Sequence, residues 1–246
     1  MYLLPGAMLE LALLVAGSEV RLPTPALMGK GGILDSIIFV LVAFILGHFI
    51  QALAYVLTER LLKGVFWGGH FPSEVLLFEG SGLVSERDRS AFIEGIEKGK
   101  AVDGPTVESW NKRIRFRMFG AILEKADAHA LEKGAEAAQS VYDRYRVALV
   151  GDELDARVTR SEAYYQFFRG SCTAAWISLV LLWSVWAVDS YRARNLIGAE
   201  PPVELELGGL FALALCLIFF WQARVTAQRF AAEVFRCSLA PLTKRR

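Results

Sequence analysis

The fold is decided by the stretch Ile33–Leu57, which reads ILDSIIFVLVAFILGHFIQALAYVL. No polar side chain lies between Ile37 and Gly47, and a helix of this length can cross a hydrocarbon layer of about 30 Å. Across the whole chain of 246 residues, 54% are hydrophobic, whereas soluble domains contain roughly 45–50% apolar residues. The sequence therefore predicts a membrane protein and excludes an ordinary soluble domain.

Two further stretches have the same character. Cys172–Val188 contains no charged residue, and Leu207–Ala223 is equally uncharged and ends with Phe219, Phe220 and Trp221. Aromatic residues are enriched where a helix leaves the hydrocarbon layer. We therefore predict three transmembrane helices in an all-α membrane protein.

The N-terminal residues 2–17 form a fourth apolar segment, in which Glu10 is the only charged residue. The segment is shorter than the roughly 20 residues that a span needs, and an ionised carboxylate that faces lipid is unfavourable. Two interpretations are open at this point. The segment is either a short fourth span or an interfacial or re-entrant helix that packs against the others.

The distribution of Lys and Arg predicts the orientation of the chain. The C-terminal segment is strongly basic, whereas the loop 189–206 is net acidic, and basic segments usually remain on the cytoplasmic side. We therefore expect the C-terminus to be cytoplasmic. The same holds for the insert 58–171 between the first and second apolar stretches, in which acidic and basic residues nearly balance. The predicted regions are an N-terminal membrane region (1–57, with the short helix 2–17 and the span 33–57), a cytoplasmic helical domain (58–171), a C-terminal transmembrane hairpin (172–223) and a basic cytoplasmic tail (224–246).

The insert has the pattern of a small helical domain. Ser85 is a typical N-cap residue and predicts a helix over 86–98. The proline after Gly104 predicts a second helix start, and apolar residues at three- and four-residue spacing extend that helix to about Asp127. We also expect helices over 128–149 and from Asp152 into the span at Cys172, and a hairpin between 65 and 84.

The sequence contains no pattern that predicts catalysis or metal binding. Its three histidines and three cysteines lack the spacing of a metal site or a disulfide framework. Nucleotide-binding loops and hydrolase motifs are absent from it. The formal net charge of +1 does not indicate a nucleic-acid-binding arm. We therefore predict no enzyme activity, no catalytic residue, no bound metal and no cofactor.

Polar residues line one face of the first long span. They are His48, Gln51, Tyr55 and Glu59, and the same face continues with the apolar residues Ile37, Leu41 and Phe44. One interpretation is that the polar residues make interhelical hydrogen bonds, worth about 0.6 kcal/mol each. The other is that they line a pore in a homo-oligomer, which the apolar residues close as a hydrophobic gate.

Small residues occur at regular spacing on the last span. Gly208, Ala212 and Cys216 are four residues apart and therefore share one helical face. Helices in membranes approach each other closely along such faces. The spacing predicts a packing surface for a neighbouring helix.

A basic cluster lies in the insert. Lys112, Arg113, Arg115 and Arg117 occur within six residues without an acidic neighbour. If this segment is helical, Arg113 and Arg117 lie one turn apart. Arginine can bind phosphate groups through two parallel hydrogen bonds. The cluster is therefore a candidate site for a nucleotide, an oligonucleotide or an anionic lipid headgroup, and the alternative is a solvated basic surface paired with neighbouring acids.

The order of segments, with paired apolar stretches on both sides of a helical insert, resembles that of small bacterial membrane effectors of anti-phage defence. The residues that are similar form the runs Gly47-His48-Phe49-Ile50-Gln51-Ala52-Leu53 and Tyr165-Gln166-Phe167-Phe168-Arg169. The resemblance implies a homo-oligomer of the bacterial inner membrane. It also implies that this assembly permeabilises or depolarises the membrane when it senses an infection signal, often a nucleotide messenger. A partner protein of the defence system is a further expectation.

The expected function is a homo-oligomeric, ligand-gated ion channel or membrane-depolarising effector whose cytoplasmic domain senses a signal. A chain with three or four spans cannot enclose a pore alone, so we expect several copies around an axis. The alternative is a membrane-anchored adaptor whose insert recruits a cytoplasmic partner. A third alternative, an intramembrane enzyme, would need a nucleophile or a carboxylate pair within the spans, which the sequence does not offer.

Overall fold

A computed structural model of the chain describes residues 2–19, 33–67, 69–79, 81–98, 104–111, 114–117, 120–123, 128–149, 154–192 and 203–244. Within these residues the helices are α1 (Leu3–Glu19), α2 (Ile33–Val56), α3 (Thr58–Trp67), α4 (Pro72–Val75), α5 (Glu86–Lys98), α6 (Gly104–Trp110), α7 (Ala128–Ala148), α8 (Asp155–Arg192) and α9 (Val203–Lys244). The strands β1 (Ile114–Arg117) and β2 (Gly120–Leu123) form an antiparallel hairpin.

Three of the helices, α2, α8 and α9, are long and apolar enough to cross a membrane. This finding confirms the prediction of a mainly helical chain with three such helices. The predicted helix that enters the span at Cys172 without a break is also present, because α8 is continuous over 38 residues. At 17 residues, α1 is a shorter apolar helix. Whether α1 spans a membrane or is re-entrant stays open.

The chain divides into two compact units. The first unit comprises residues 1–59 and 166–223, and the second comprises residues 60–165 and 224–246. The predicted N-terminal membrane region and transmembrane hairpin lie almost entirely in the first unit. Most of the predicted insert lies in the second unit.

Helix α1 packs inside the first unit. Leu9 is buried together with Ile50 of α2 and Ala174 of α8. Backbone contact between α1 and α2 is close, because a Cβ atom at Gly47 would overlap the backbone oxygen of Tyr2. A Cβ atom at Gly6 would similarly overlap the backbone oxygen of Ala43. Glycine at both positions therefore permits a helix contact that no larger residue allows.

The second unit has its own hydrophobic core. Trp110 is fully buried, and its indole Nε1 donates a hydrogen bond to the backbone oxygen of Gly134 in α7 at 2.9 Å. The buried Arg89 of α5 donates hydrogen bonds to the backbone oxygens of Leu77 at 2.8 Å and Trp110 at 2.9 Å. These bonds join α5 to the turn at Leu77 and to the C-terminal residue of α6, whose backbone oxygens are not paired within a helix.

The C-terminal segment 224–246 differs from the predicted tail. Helix α9 continues through it to Lys244, and Val234 and Phe235 are fully buried in the core of the second unit. Arg236 donates a hydrogen bond to Asp88 of α5 at 3.0 Å, which lowers the pKa of that carboxyl group. The segment is therefore helical, and its apolar residues form a face that packs against the insert. That this segment is cytoplasmic stays a prediction.

The predicted helix from Gly104 to Asp127 is wrong at residues 114–117 and 120–123, which form strands. Helix α6 ends at Trp110, and Ile114–Arg117 is a strand instead. The run Ile-Arg-Phe-Arg alternates between apolar and basic residues, which is the period of a strand. The helical spacing that the prediction used was therefore coincidental.

The hairpin expected between 65 and 84 does not occur among the residues described there, which contain the end of α3 and the short α4 instead. Gly69 follows α3 with a φ of 95°, and its N–H donates a hydrogen bond to the backbone oxygen of Lys63 at 2.9 Å. Glycine adopts positive φ without steric strain. It therefore ends α3 at this position.

The predicted N-cap of α5 is present. The Ser85 hydroxyl oxygen accepts a hydrogen bond from the backbone N–H of Asp88 at 3.1 Å. This bond satisfies one of the donors that the start of a helix leaves unpaired.

Replacing Ser85 with alanine is expected to destabilise the first turn of α5 by about 1 kcal/mol, since the cap bond is lost. Hydrogen exchange of the Arg87–Arg89 amides should then accelerate about fivefold. Ser140→Ala, at an exposed position in α7, is the control and should leave these amides unchanged. Equal exchange rates in both variants would contradict the capping role of Ser85.

Candidate functional site

Polar side chains of α2 and α3 meet α8 inside the first unit. Gln51 donates a hydrogen bond from Nε2 to the backbone oxygen of Gln166 at 3.0 Å. A Cβ atom at position 170 would overlap the Gln51 amide, so Gly170 leaves the space that this side chain occupies. The sequence allowed two interpretations of the polar face, interhelical hydrogen bonds or the lining of a pore. Gln51 makes an interhelical hydrogen bond.

A buried ion pair lies one helical turn further along α8. Arg169 Nη1 is 3.2 Å from Glu59 Oε2, and the two side chains are only 12% and 9% exposed. The guanidinium carbon of Arg169 also lies 5.7 Å from the centre of the Tyr55 ring, within the range of a cation–π interaction. A charge of either sign at this depth is stable only while its partner is present.

The hydroxyl groups of Thr58 and Thr173 complete this set of contacts. Their oxygens are 2.5 Å apart, and both residues are buried. Thr58 begins α3 directly after the interruption at Leu57 between α2 and α3. We call the set formed by Gln51, Tyr55, Thr58, Glu59, Gln166, Arg169 and Thr173 the Glu59–Arg169 cluster. It attaches the junction of α2 and α3 to α8.

These contacts separate the four polar residues predicted on one face of the first long span into two groups. Gln51 and Glu59 are directed at α8 of the same chain. Tyr55 is 65% exposed, and His48 is also exposed. His48 stacks on Tyr2, with ring centres 4.0 Å apart. Only His48 and Tyr55 of the four candidates therefore present much surface outside the unit.

The three gate candidates lie on the same exposed face of α2. Ile37, Leu41 and Phe44 are 57%, 56% and 44% exposed. Together with His48 and Tyr55 they form what we call the α2 exposed stripe. It is apolar in its first half and polar in its second half. A stripe of this kind is available to lipid or to another copy of the chain.

The face of α9 that the small residues predicted as a packing surface lies against α1 and α8. Ala212 is buried in a cluster with Ala12 of α1 and Leu179 of α8. Cys216 is buried beside Cys172, whose thiol is 3.8 Å from the Cys216 backbone oxygen. Gly208 is near Leu182, since a Cβ atom there would be 3.5 Å from that side chain. The face therefore packs within one chain.

The predicted ligand site is only partly within the described residues. Lys112 and Arg113 lie outside them, and Arg115 and Arg117 lie in β1, opposite Ile122 and Gly120 of β2. Because alternate residues of a strand share a face, positions 115 and 117 are on the same side of the hairpin. Residues 114–117 are therefore not helical, as the one-turn spacing would require. Whether these residues bind a phosphate stays a prediction.

An open groove of about 530 Å³ lies on the second unit. Its lining includes His70 and four carboxylates, those of Glu74, Glu132, Glu136 and Asp143. His70 Nδ1 is 3.0 Å from Glu74 Oε2. Among the residues that the structure describes, no group of three His, Cys, Asp or Glu side chains is arranged to hold a metal ion.

The chain matches no known protein family, no curated protein and no solved structure. Its function must therefore be inferred from the geometry of its own residues.

The sequence alone does not reveal which residues of α8 contact the polar face of the first long span. In the sequence, Arg169 stands out only as the last residue of the run Tyr165–Arg169, and no pattern marks Thr173 or Gly170 as a partner. One signal is present. Glu59 follows one long apolar stretch and Arg169 precedes another, so two antiparallel helices formed by these stretches would bring an acid and a base together.

Proposed function

We propose that the chain is the subunit of a homo-oligomeric, signal-gated ion channel or membrane-depolarising effector of the bacterial inner membrane, acting in anti-phage defence. The observation that carries the proposal is the α2 exposed stripe. Its polar half contains His48 and Tyr55, and polar side chains on a span are unfavourable in contact with lipid. Several copies that turn this stripe towards a common axis would remove the polar half from lipid and place it around a water-filled path.

The apolar half of the stripe supports a gate. In the assembled ring, Ile37, Leu41 and Phe44 would form successive apolar constrictions. Such constrictions prevent ion flow by excluding water when they are narrow. A small rotation of α2 would then be enough to change the conductance.

Two helices, α8 and α9, contribute residues to the cores of both units and could connect a signal bound to the second unit with the gate in the first. Helix α8 contributes Val158 to the core of the second unit and Leu179 to the core of the first, and α9 likewise contributes Phe235 and Ala212. We propose that a nucleotide or oligonucleotide signal binds the basic cluster 112–117 and biases the closed and open states through α8 and α9. A signal that converts a population from about 1% to about 99% open must bind the open state about 10⁴-fold more tightly.

The expected result for the pore assignment is a loss of ion flux when His48 is replaced with leucine, because the polar half of the stripe becomes apolar and dewets more readily. The measurement is potassium efflux from liposomes that contain the full-length protein, and the flux should fall severalfold. Ser184→Leu is the matched control, since Ser184 is an exposed polar residue of α8. Equal flux from the two variants would remove His48 from the pore.

The second candidate function is a membrane-anchored adaptor. It is favoured by the second unit, which has a hydrophobic core of its own and does not depend on a pore. Expression in cells loaded with a potential-sensitive dye separates the two functions. A channel depolarises the cells, whereas an adaptor leaves the potential unchanged.

A further inference from the structure

Helix α3 has one buried face and one exposed face. Glu59 and Leu62 are buried on one side of the helix, whereas Arg60, Leu61 and Gly64 are exposed on the other. Leu61 is 46% exposed even though it is apolar. The exposed face therefore combines an apolar side chain with a basic one, and this combination is typical of helices that lie in a membrane interface.

Further basic groups flank this face. Lys63 Nζ lies 3.2 Å from the centre of the Phe71 ring, and the guanidinium carbon of Arg224 lies 4.4 Å from the centre of the Phe66 ring. Both are cation–π contacts, which hold the charged ends of these side chains against aromatic rings beside the exposed face. Glu59, the one acid of α3, is buried. The exposed face is therefore purely cationic in its charge.

We propose that Arg60, Leu61, Lys63 and Arg224 form a binding surface for the anionic, phosphate-bearing headgroups of a lipid bilayer. The inference rests on the proposed insertion of α2, α8 and α9 into a membrane. Two observations identify lipid as the occupant. The first is that the positive charge of the surface is complementary to phosphate. The second is that α3 begins only two residues after the last residue of α2, so the surface directly follows a proposed span in the chain.

The contact with lipid is tested by the environment of position 61. The full-length variant Leu61→Cys, carrying a nitroxide label, is placed in nanodiscs that contain phosphatidylglycerol. We expect the label to be accessible to oxygen and shielded from a water-soluble paramagnetic reagent. Val147→Cys is the control, because Val147 is 72% exposed on α7, and its label should be accessible to the aqueous reagent.

The contribution of charge is tested by Arg60→Gln combined with Lys63→Gln in the Leu61→Cys background. Each basic side chain near an anionic surface contributes about fivefold to binding, so the ratio of shielded to water-exposed label should fall about 25-fold. Lys133→Gln combined with Arg144→Gln removes the same charge from exposed positions of α7 and should not change the ratio.

The remaining outcomes are distinct. A label at position 61 that stays water-exposed in correctly filled nanodiscs overturns this surface but leaves the proposed spans intact. Equal effects of the two double variants also overturn it. Shielding that requires an added protein, or that inorganic phosphate reproduces in phosphatidylcholine nanodiscs, overturns the assignment to lipid. Failure of the protein to enter nanodiscs overturns the proposed insertion and this inference with it.

Discussion

Replacing Arg169 with leucine should lower the free energy of unfolding by about 3–5 kcal/mol, the largest effect that we expect for any side chain of the first unit. The Glu59 carboxylate would remain buried without the guanidinium group that lies 3.2 Å from it in the native chain. Neither water nor lipid can solvate that carboxylate fully at this depth. Titration of the full-length protein with a denaturing detergent measures the change.

Two further variants show whether the loss of stability in Arg169→Leu comes from the burial of the ion pair. Glu94→Gln removes one member of the ion pair with Lys98, whose side chains are 60% and 54% exposed, and it should change the stability by less than about 1 kcal/mol. The double variant Glu59→Arg with Arg169→Glu keeps the pair with its charges exchanged and should recover part of the loss. If Arg169→Leu is no more destabilising than Glu94→Gln, the ion pair does not hold the junction of α2 and α3.

The second large effect is expected for Gly47→Ala, at about 3 kcal/mol. The added methyl group would overlap the backbone oxygen of Tyr2, and a backbone atom cannot move away by a change of rotamer. Helix α1 must therefore separate from α2, and Leu9 and Ala12 lose their buried environment. Denaturing-detergent titration gives the stability, and hydrogen exchange of the α1 amides shows whether α1 is the part that is released.

Gly64→Ala provides a control with the same chemical change. Gly64 is also in a helix, but no atom lies within 4 Å of an added Cβ atom there. Because alanine is the better helix former, this variant should be more stable by about 0.5–1 kcal/mol. A similar loss of stability in both variants would show that the contact of α1 with α2 does not depend on Gly47.

Local patterns in the sequence were sufficient for the elements that depend on their own residues. The long apolar helices follow from the hydrophobicity of the segments that form them, and Ser85 caps α5 as its residue type and position predict. The helix predicted from Gly104 to Asp127 was wrong at 114–117 and 120–123, which are strands. Apolar residues at helical spacing across the whole segment favoured a helix, whereas the short Ile-Arg-Phe-Arg run has the alternation of a strand, and the two signals conflict.

The role of the C-terminal segment could not be predicted from its charge. Its basic residues predicted a cytoplasmic tail and gave no sign of a buried face, but Val234 and Phe235 are buried with residues such as Phe92 and Tyr142. Those partners are more than ninety residues earlier in the chain. A helical face can be recognised from sequence, whereas the surface that it covers cannot.

By itself, the sequence determined that this chain is mainly helical, which three helices are long and apolar, and which residues of α2 share a face. These are consequences of local hydrophobicity and of the helical period. Only the tertiary structure decided what each residue of that face contacts. Gln51 and Glu59 bond to residues of α8 that are 115 and 110 positions away in the chain. His48 and Tyr55 keep an exposed surface beside their contacts with Tyr2 and Arg169. The physical reason is that a helical period defines the direction of a side chain relative to its own axis, whereas its partner is set by how separate helices pack.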